Sequence, residues 1–180
     1  MLNRRILRIK VFKTIYARAE NPLMTLVQAK EQFEEQCQST RNLYLFMLAL
    51  IPALTKEANA RIEAAKTKFH PTEEERNPNM KFAHNAVATL LSEDPEFNKI
   101  ISKKKLSWEE YDAFLWHLYS TIREREYFKF YLQESSSSIQ EDARLWIKIF
   151  EEELVDNAEL EDILESMSIW WNNDLAYSLT

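Results

Sequence analysis

A chain of 180 residues with 46% hydrophobic content can close a core as one generous domain or two small ones, which excludes a chain disordered throughout. Gly is entirely absent, so the P-loop, the dinucleotide fingerprint and the nucleophile elbow are excluded together, and helices joined by Asn, Asp, Ser and Pro are favoured over glycine hairpins. The formal charge of −6 speaks against a general nucleic-acid coat, yet residues 1–70 carry 12 Lys plus Arg against 6 Asp plus Glu, whereas residues 133–180 carry 2 against 12.

The first predicted element is a helix from the neighbourhood of Leu2 to about Glu20, ended by Asn21-Pro22. Its apolar residues make two ridges at helical spacing, Leu2, Ile6, Ile9, Phe12 and Tyr16 beside Leu7, Val11 and Ile15, which predicts packing on more than one side. Asn3 is a good N-cap and places Arg4, Arg5 and Arg8 in the first turns, where the macrodipole already supplies positive charge. Each Arg there is disfavoured by roughly 0.3 kcal/mol or more at low salt, so an external polyanion is the natural partner for the cluster. Lys10 and Lys13 add charge elsewhere on the same helix. They also interrupt any apolar core that a secretory signal needs, and the most apolar window, Leu43 to Leu54, falls short of the roughly 20 residues of a membrane span. With a single cysteine, Cys37, read as a buried hydrophobe, the expectation is a cytoplasmic protein outside the membrane.

Thr25 and Gln28 form a capping-box pattern for a second helix through Leu26, Ala29, Phe33 and Cys37. A separate long periodic segment runs from about Thr40 to Phe69, kinked at Pro52. His70-Pro71 stops it, and Thr72 to Asn79 reads as a loop. Phe82, Val87, Leu90 and Leu91 mark a short helix, and Asp94-Pro95 caps another that Lys103, Lys104 and Lys105 close in the favourable dipole sense. Ser107 and Glu110 predict a capping box for a helix with Tyr111, Phe114, Leu115, Leu118 and Ile122, running on into Tyr127, Phe128 and Tyr131; its Trp108, Tyr111 and Phe114 are read as core. Ser138 with Glu141 caps a helix through Leu145, Trp146, Ile149, Phe150 and Leu154, and Asn157 starts a further short one. Trp170 to Leu179 reads as the start of a helix that stops before two turns, as expected of a truncated domain. The fold class expected is therefore all-α, a bundle of roughly eight to nine helices. Its segments are a basic one at 1–70, a loop at 71–79, a central one at 80–134 and an acidic one at 135–180.

Catalytic frames are missing. His70, His84 and His117 form no Glu-x-x-His or His-x-x-x-His frame and Cys37 has no evident partner, so no metal site, no cofactor and no enzymatic activity are expected.

The opening run RRILRIKVFKTIY resembles the start of the NusB family of transcription antitermination factors, in which an Arg-rich helix leads into an apolar segment ending Ala-Leu-Tyr. Arg4, Arg5 and Arg8 fall on three of the family's Arg positions, Ile6 replaces a fourth, and Tyr16 matches its Tyr. The run Asp142 to Glu165, a helix, a polar Asp-Asn break and a short Leu-Glu-Asp helix, is similar to the family's middle. The Val-x-Ile-Asn-Glu and Phe-Val-Asn-Gly helices of the family are missing here, so the chain resembles an extended variant cut before the carboxyl-terminal domain. The resemblance implies a non-catalytic protein that binds single-stranded, boxA-like RNA together with a ribosomal-protein partner of NusE type. Its implied RNA contacts are Arg4, Arg5, Arg8 and Tyr16; Lys10 and Lys13, elsewhere on the helix circumference, are added as candidate contacts of lesser weight. The alternative is a helical protein-interaction module whose basic head meets an acidic partner.

Overall fold

The computed structural model describes residue 2 and residues 4–70, 72–134 and 138–171. Among the described residues the protein is all-α, without a β-strand: α1 (Arg4–Glu20), α2 (Leu26–Lys66), α3 (Glu73–Arg76), α4 (Ala86–Glu93), α5 (Pro95–Lys104), α6 (Asp112–Glu124), α7 (Glu126–Gln133), α8 (Ile139–Ile149), a π-helical segment (Phe150–Leu154) and α9 (Ala158–Met167). None of these helices is long and apolar enough to cross a membrane.

Short polar side chains start the helices as their spacing predicts. Thr25 Oγ1 accepts from the Gln28 N–H at 3.2 Å while Gln28 Oε1 accepts from the Thr25 N–H at 2.9 Å, which starts α2. Asp94 accepts from the Glu96 and Phe97 N–H groups ahead of α5, Ser138 makes its capping box with Glu141, and Asn157 accepts from the Leu160 N–H. Helix ends solve the absence of glycine differently. After α5, Lys105 takes the left-handed conformation at φ 55°, and its N–H and that of Leu106 return to the Ser102 and Ile101 carbonyls, closing a Schellman turn.

Four expectations are corrected. The second helix and the long segment are one element, α2, of 41 residues ending at Lys66, because the polar stretch between them still has helical propensity and no breaker. Pro52 lies inside it, at the cost of one backbone donor. Within the expected loop, Glu73–Arg76 makes a single helical turn fixed by a Thr72 and Glu75 capping box. Ser107 instead accepts from the Glu109 N–H, and α6 begins only at Asp112, because the preceding turn is committed to inserting Trp108 into the core. The helix does not run on past Glu124: Arg125 is extended at ψ 140°, and α7 begins afresh.

The chain packs as two compact units, Met1–Leu45 with Glu161–Thr180, and Phe46–Leu160. In the first, the Thr14 face of α1 meets the start of α2, where Gln36 Nε2 donates to Thr14 Oγ1 at 3.5 Å. The Trp171 indole is buried and donates to the Ser39 carbonyl at 3.0 Å, which holds the segment after α9 against α2. Trp170 is only half-buried, and the helix expected to follow lies outside the described residues.

In the second unit, Trp108 is the central plug. Its ring stacks on Phe46 with centroids 4.1 Å apart, and its indole donates to the Phe46 carbonyl at 2.8 Å, so its one polar atom is satisfied inside the core. Phe114 stacks beyond it at 5.5 Å, and Tyr111 meets it edge-on, the cluster expected from the sequence. Phe82 precedes its helix rather than lying in it, and packs among Tyr119, Phe128 and Trp146. A polar network crosses the same core. Asn85 Oδ1 accepts from the Trp146 indole, Val87 N–H and Ala88 N–H, while the buried Asp142 accepts from the Ala86 N–H at 2.6 Å and the Tyr131 hydroxyl at 2.7 Å.

Candidate nucleic-acid interface

Helix α1 carries no acid in its first turn, and Arg4, Arg5 and Arg8 stand in the positive field of the N-terminus. Asn3, the expected cap, lies outside the described residues. All three arginines are exposed, as is Lys13.

The face that α1 buries mixes apolar and polar residues, with Leu7 and Ile9 half-buried beside it. Ile6, Lys10 and Thr14 are buried, with Thr14 Oγ1 donating back to the Lys10 carbonyl at 2.9 Å. The expectation of packing on more than one side is therefore corrected: Phe12, Ile15 and Tyr16 are 69%, 64% and 59% exposed, and Val11 is exposed with them. Burial also sets Lys10, at 4% exposure, apart from the solvent-facing cations.

At about 100° per residue, Arg4, Arg8, Phe12 and Tyr16 form one row at four-residue spacing, and the buried row Ile6, Lys10 and Thr14 lies about 160° around the helix from it. The exposed row is about 18 Å long. Guanidinium groups occupy its N-terminal half. Its C-terminal half is an aromatic pair, Phe12 and Tyr16, whose rings lie 24° from parallel with centroids 6.5 Å apart. Arg5 and Ile15 flank it. Phe12, expected in a packed ridge with Ile6 and Ile9, instead stands exposed in line with Arg4 and Arg8, and that alignment is the signal in the sequence that marks it.

Elsewhere, several polar groups are engaged with one another. Glu153, in the π-helical segment, receives the Arg125 guanidinium through two bonds of 2.6 and 2.9 Å and the Tyr127 hydroxyl at 3.1 Å. Burial, then the adjacent Glu153 charge, pushes the Tyr127 phenol up, and burial followed by the hydrogen bond to Asp142 does the same to Tyr131. His117 meets Glu159 at 3.4 Å on an exposed surface. Among the described residues no three His, Cys, Asp or Glu side chains come together as metal ligands. An open cleft of about 650 Å³ in the second unit has Pro52, Phe97, Ile101 and Leu115 among its apolar walls and Lys56, His84 and Asp112 among its polar ones.

Compared with protein-family models, with curated proteins and with solved structures, the chain matches none of them.

Proposed function

We propose that the protein is a non-catalytic, cytoplasmic RNA-binding factor of the NusB type. It binds boxA-like single-stranded RNA through α1, together with a ribosomal protein of NusE type, in transcription antitermination. The observation that supports this reading is the solvent-facing row Arg4, Arg8, Phe12, Tyr16, with Arg5 beside it. Guanidinium forks match phosphate oxygens, and aromatic rings match the faces of unstacked bases, the two chemistries that single-stranded RNA presents together. The helix N-terminus adds its own positive end to the phosphate side. In this reading Lys10 serves packing, Lys13 is a peripheral cation, and Tyr16 stacks on a base.

Replacing Arg4, Arg5 and Arg8 with Gln tests the phosphate half. With about 0.7 counterion per contact, three lost contacts flatten the log–log salt dependence of RNA binding by roughly 2. An unchanged slope with an unchanged fold defeats the reading.

The second reading is a protein-docking helix. Leu23, Leu26 and Val27 in the same unit are exposed as well as Val11, Phe12 and Ile15, which favours an apolar partner surface. It predicts that the three Gln substitutions leave RNA binding as it was.

A further inference from the structure

Helix α5 ends in Lys103, Lys104 and Lys105, with Lys99 one turn earlier, and all four are exposed. Lysines at a helix C-terminus are ordinarily accounted for by the dipole and by direct capping of the last carbonyls. Two of those last carbonyls are already engaged by the backbone. The Ile101 and Ser102 carbonyls are taken by the backbone N–H groups of Leu106 and Lys105. The turn also places Lys105 at φ 55°, the left-handed position where Gly or Asn is cheaper.

Among the described residues Lys13 and Lys56 stand singly without an ion pair, but the lysines of α5 are grouped. Lys30, Lys66, Lys68, Lys129 and Lys148 each stand within ion-pair distance of a glutamate, and Lys81 donates to the Tyr131 and Glu134 carbonyls. The four ammonium groups of α5 make no such pair among the described residues. Glu96 lies one turn before Lys99, and Glu109 and Glu110 follow in the next turn, yet none of them bridges to the cluster. Seven residues therefore carry four uncompensated cations in a chain of net charge −6.

We infer that the C-terminal end of α5 is a second, sequence-independent contact for the RNA backbone. This rests on the RNA-binding reading for its choice of polyanion. Ammonium groups on flexible stems meet phosphates as point charges, without the fork geometry of Arg, and so add affinity and salt dependence without reading bases. Lys105 is displayed by the left-handed turn, and Leu106, buried directly after it, anchors that turn.

The test uses the whole chain and fluorescein-labelled poly(U), with binding followed by anisotropy across a salt series. Replacing Lys103, Lys104 and Lys105 with Gln is expected to flatten the log–log slope by roughly 2, which is about 16-fold in affinity across a fourfold salt range. Lys105→Gly is the control for structure, since it relieves the turn yet removes one cation, so it is expected to keep the fold and flatten the slope by about 0.7. An unchanged slope in both variants overturns the inference, and loss of the slope contribution with Arg4, Arg5 and Arg8 replaced but not with the lysines leaves the α1 reading standing alone. The reverse pattern supports the α5 contact and removes α1. Poly-glutamate that binds the lysines while poly(U) does not overturns the assignment in favour of an acidic protein.

Discussion

Asp142 offers the sharpest test of how the second unit is held together. It is 1% exposed and accepts from the Ala86 N–H at 2.6 Å and the Tyr131 hydroxyl at 2.7 Å. Asp142→Ala leaves the buried Tyr131 hydroxyl and the part-buried Ala86 N–H without an acceptor. At about 1–3 kcal/mol for each orphaned group the loss is roughly 2–6 kcal/mol, a large share of the 5–15 kcal/mol typical of a domain. Tyr131→Phe removes one of those donors and by itself is expected to cost about 1–3 kcal/mol. In the double variant the Tyr131 donor is no longer stranded, so the two losses should fall short of adding by roughly 0.5–3 kcal/mol. Urea unfolding followed by tryptophan fluorescence reads this directly, because Trp146 and Trp108 are both buried in the same unit. Losses that add to within about 0.5 kcal/mol would refute the shared bond as the source of the stability.

Two further outcomes follow from local geometry. Lys105→Gly should stabilise the protein by about 1 kcal/mol, since a non-glycine residue in the left-handed region costs roughly 1–2 kcal/mol and glycine loses some of that gain through its freer unfolded chain; an unchanged or lowered urea midpoint counts against strain at φ 55°. Burial raises the phenols of Tyr119, Tyr127 and Tyr131 above their ordinary value of 10.0, so they hold their protons in the folded state when the unfolded chain has released them. Stability from these groups is complete below pH 10 and declines as pH rises beyond it, and Tyr131→Phe should lessen that alkaline decline; equal pH dependence in both proteins contradicts the assignment.

Much of the helical framework was legible because short polar side chains announce helix starts. Thr25 with Gln28, Asp94 with Pro95, Ser138 with Glu141, and Asn157 all act where their spacing puts them. Ser107 with Glu110 carries the same pattern and does not act, since burying Trp108 and satisfying its indole outweigh a cap of about 1 kcal/mol. The join within α2 was not legible, because between Cys37, the last apolar residue of the expected second helix, and the segment from about Thr40 the chain is polar, yet it continues the helix without a break. On α1, periodicity found the apolar residues but not the side they face. Two ridges of similar strength leave the burial direction undetermined, and the buried row is Ile6, Lys10 and Thr14, where the Thr14 hydroxyl is satisfied by the Lys10 carbonyl. The arginines of the candidate interface were legible from charge alone, whereas Phe12 as a surface residue was not.

The central claim is that α1 presents RNA with a phosphate half and a stacking half, and the double replacement Phe12→Leu with Tyr16→Leu tests it most directly. Leucine keeps the exposed row apolar and helical while removing both π-faces, so it separates base stacking from apolar docking. RNA affinity for a boxA-like single strand should fall, by up to about 5- to 150-fold for each stacked base lost at roughly 1–3 kcal/mol, with the salt slope unchanged because no cation has been removed. Affinity equal to that of the unmodified protein, at matched salt and with helicity intact, contradicts the account and leaves α1 as a surface for a protein partner.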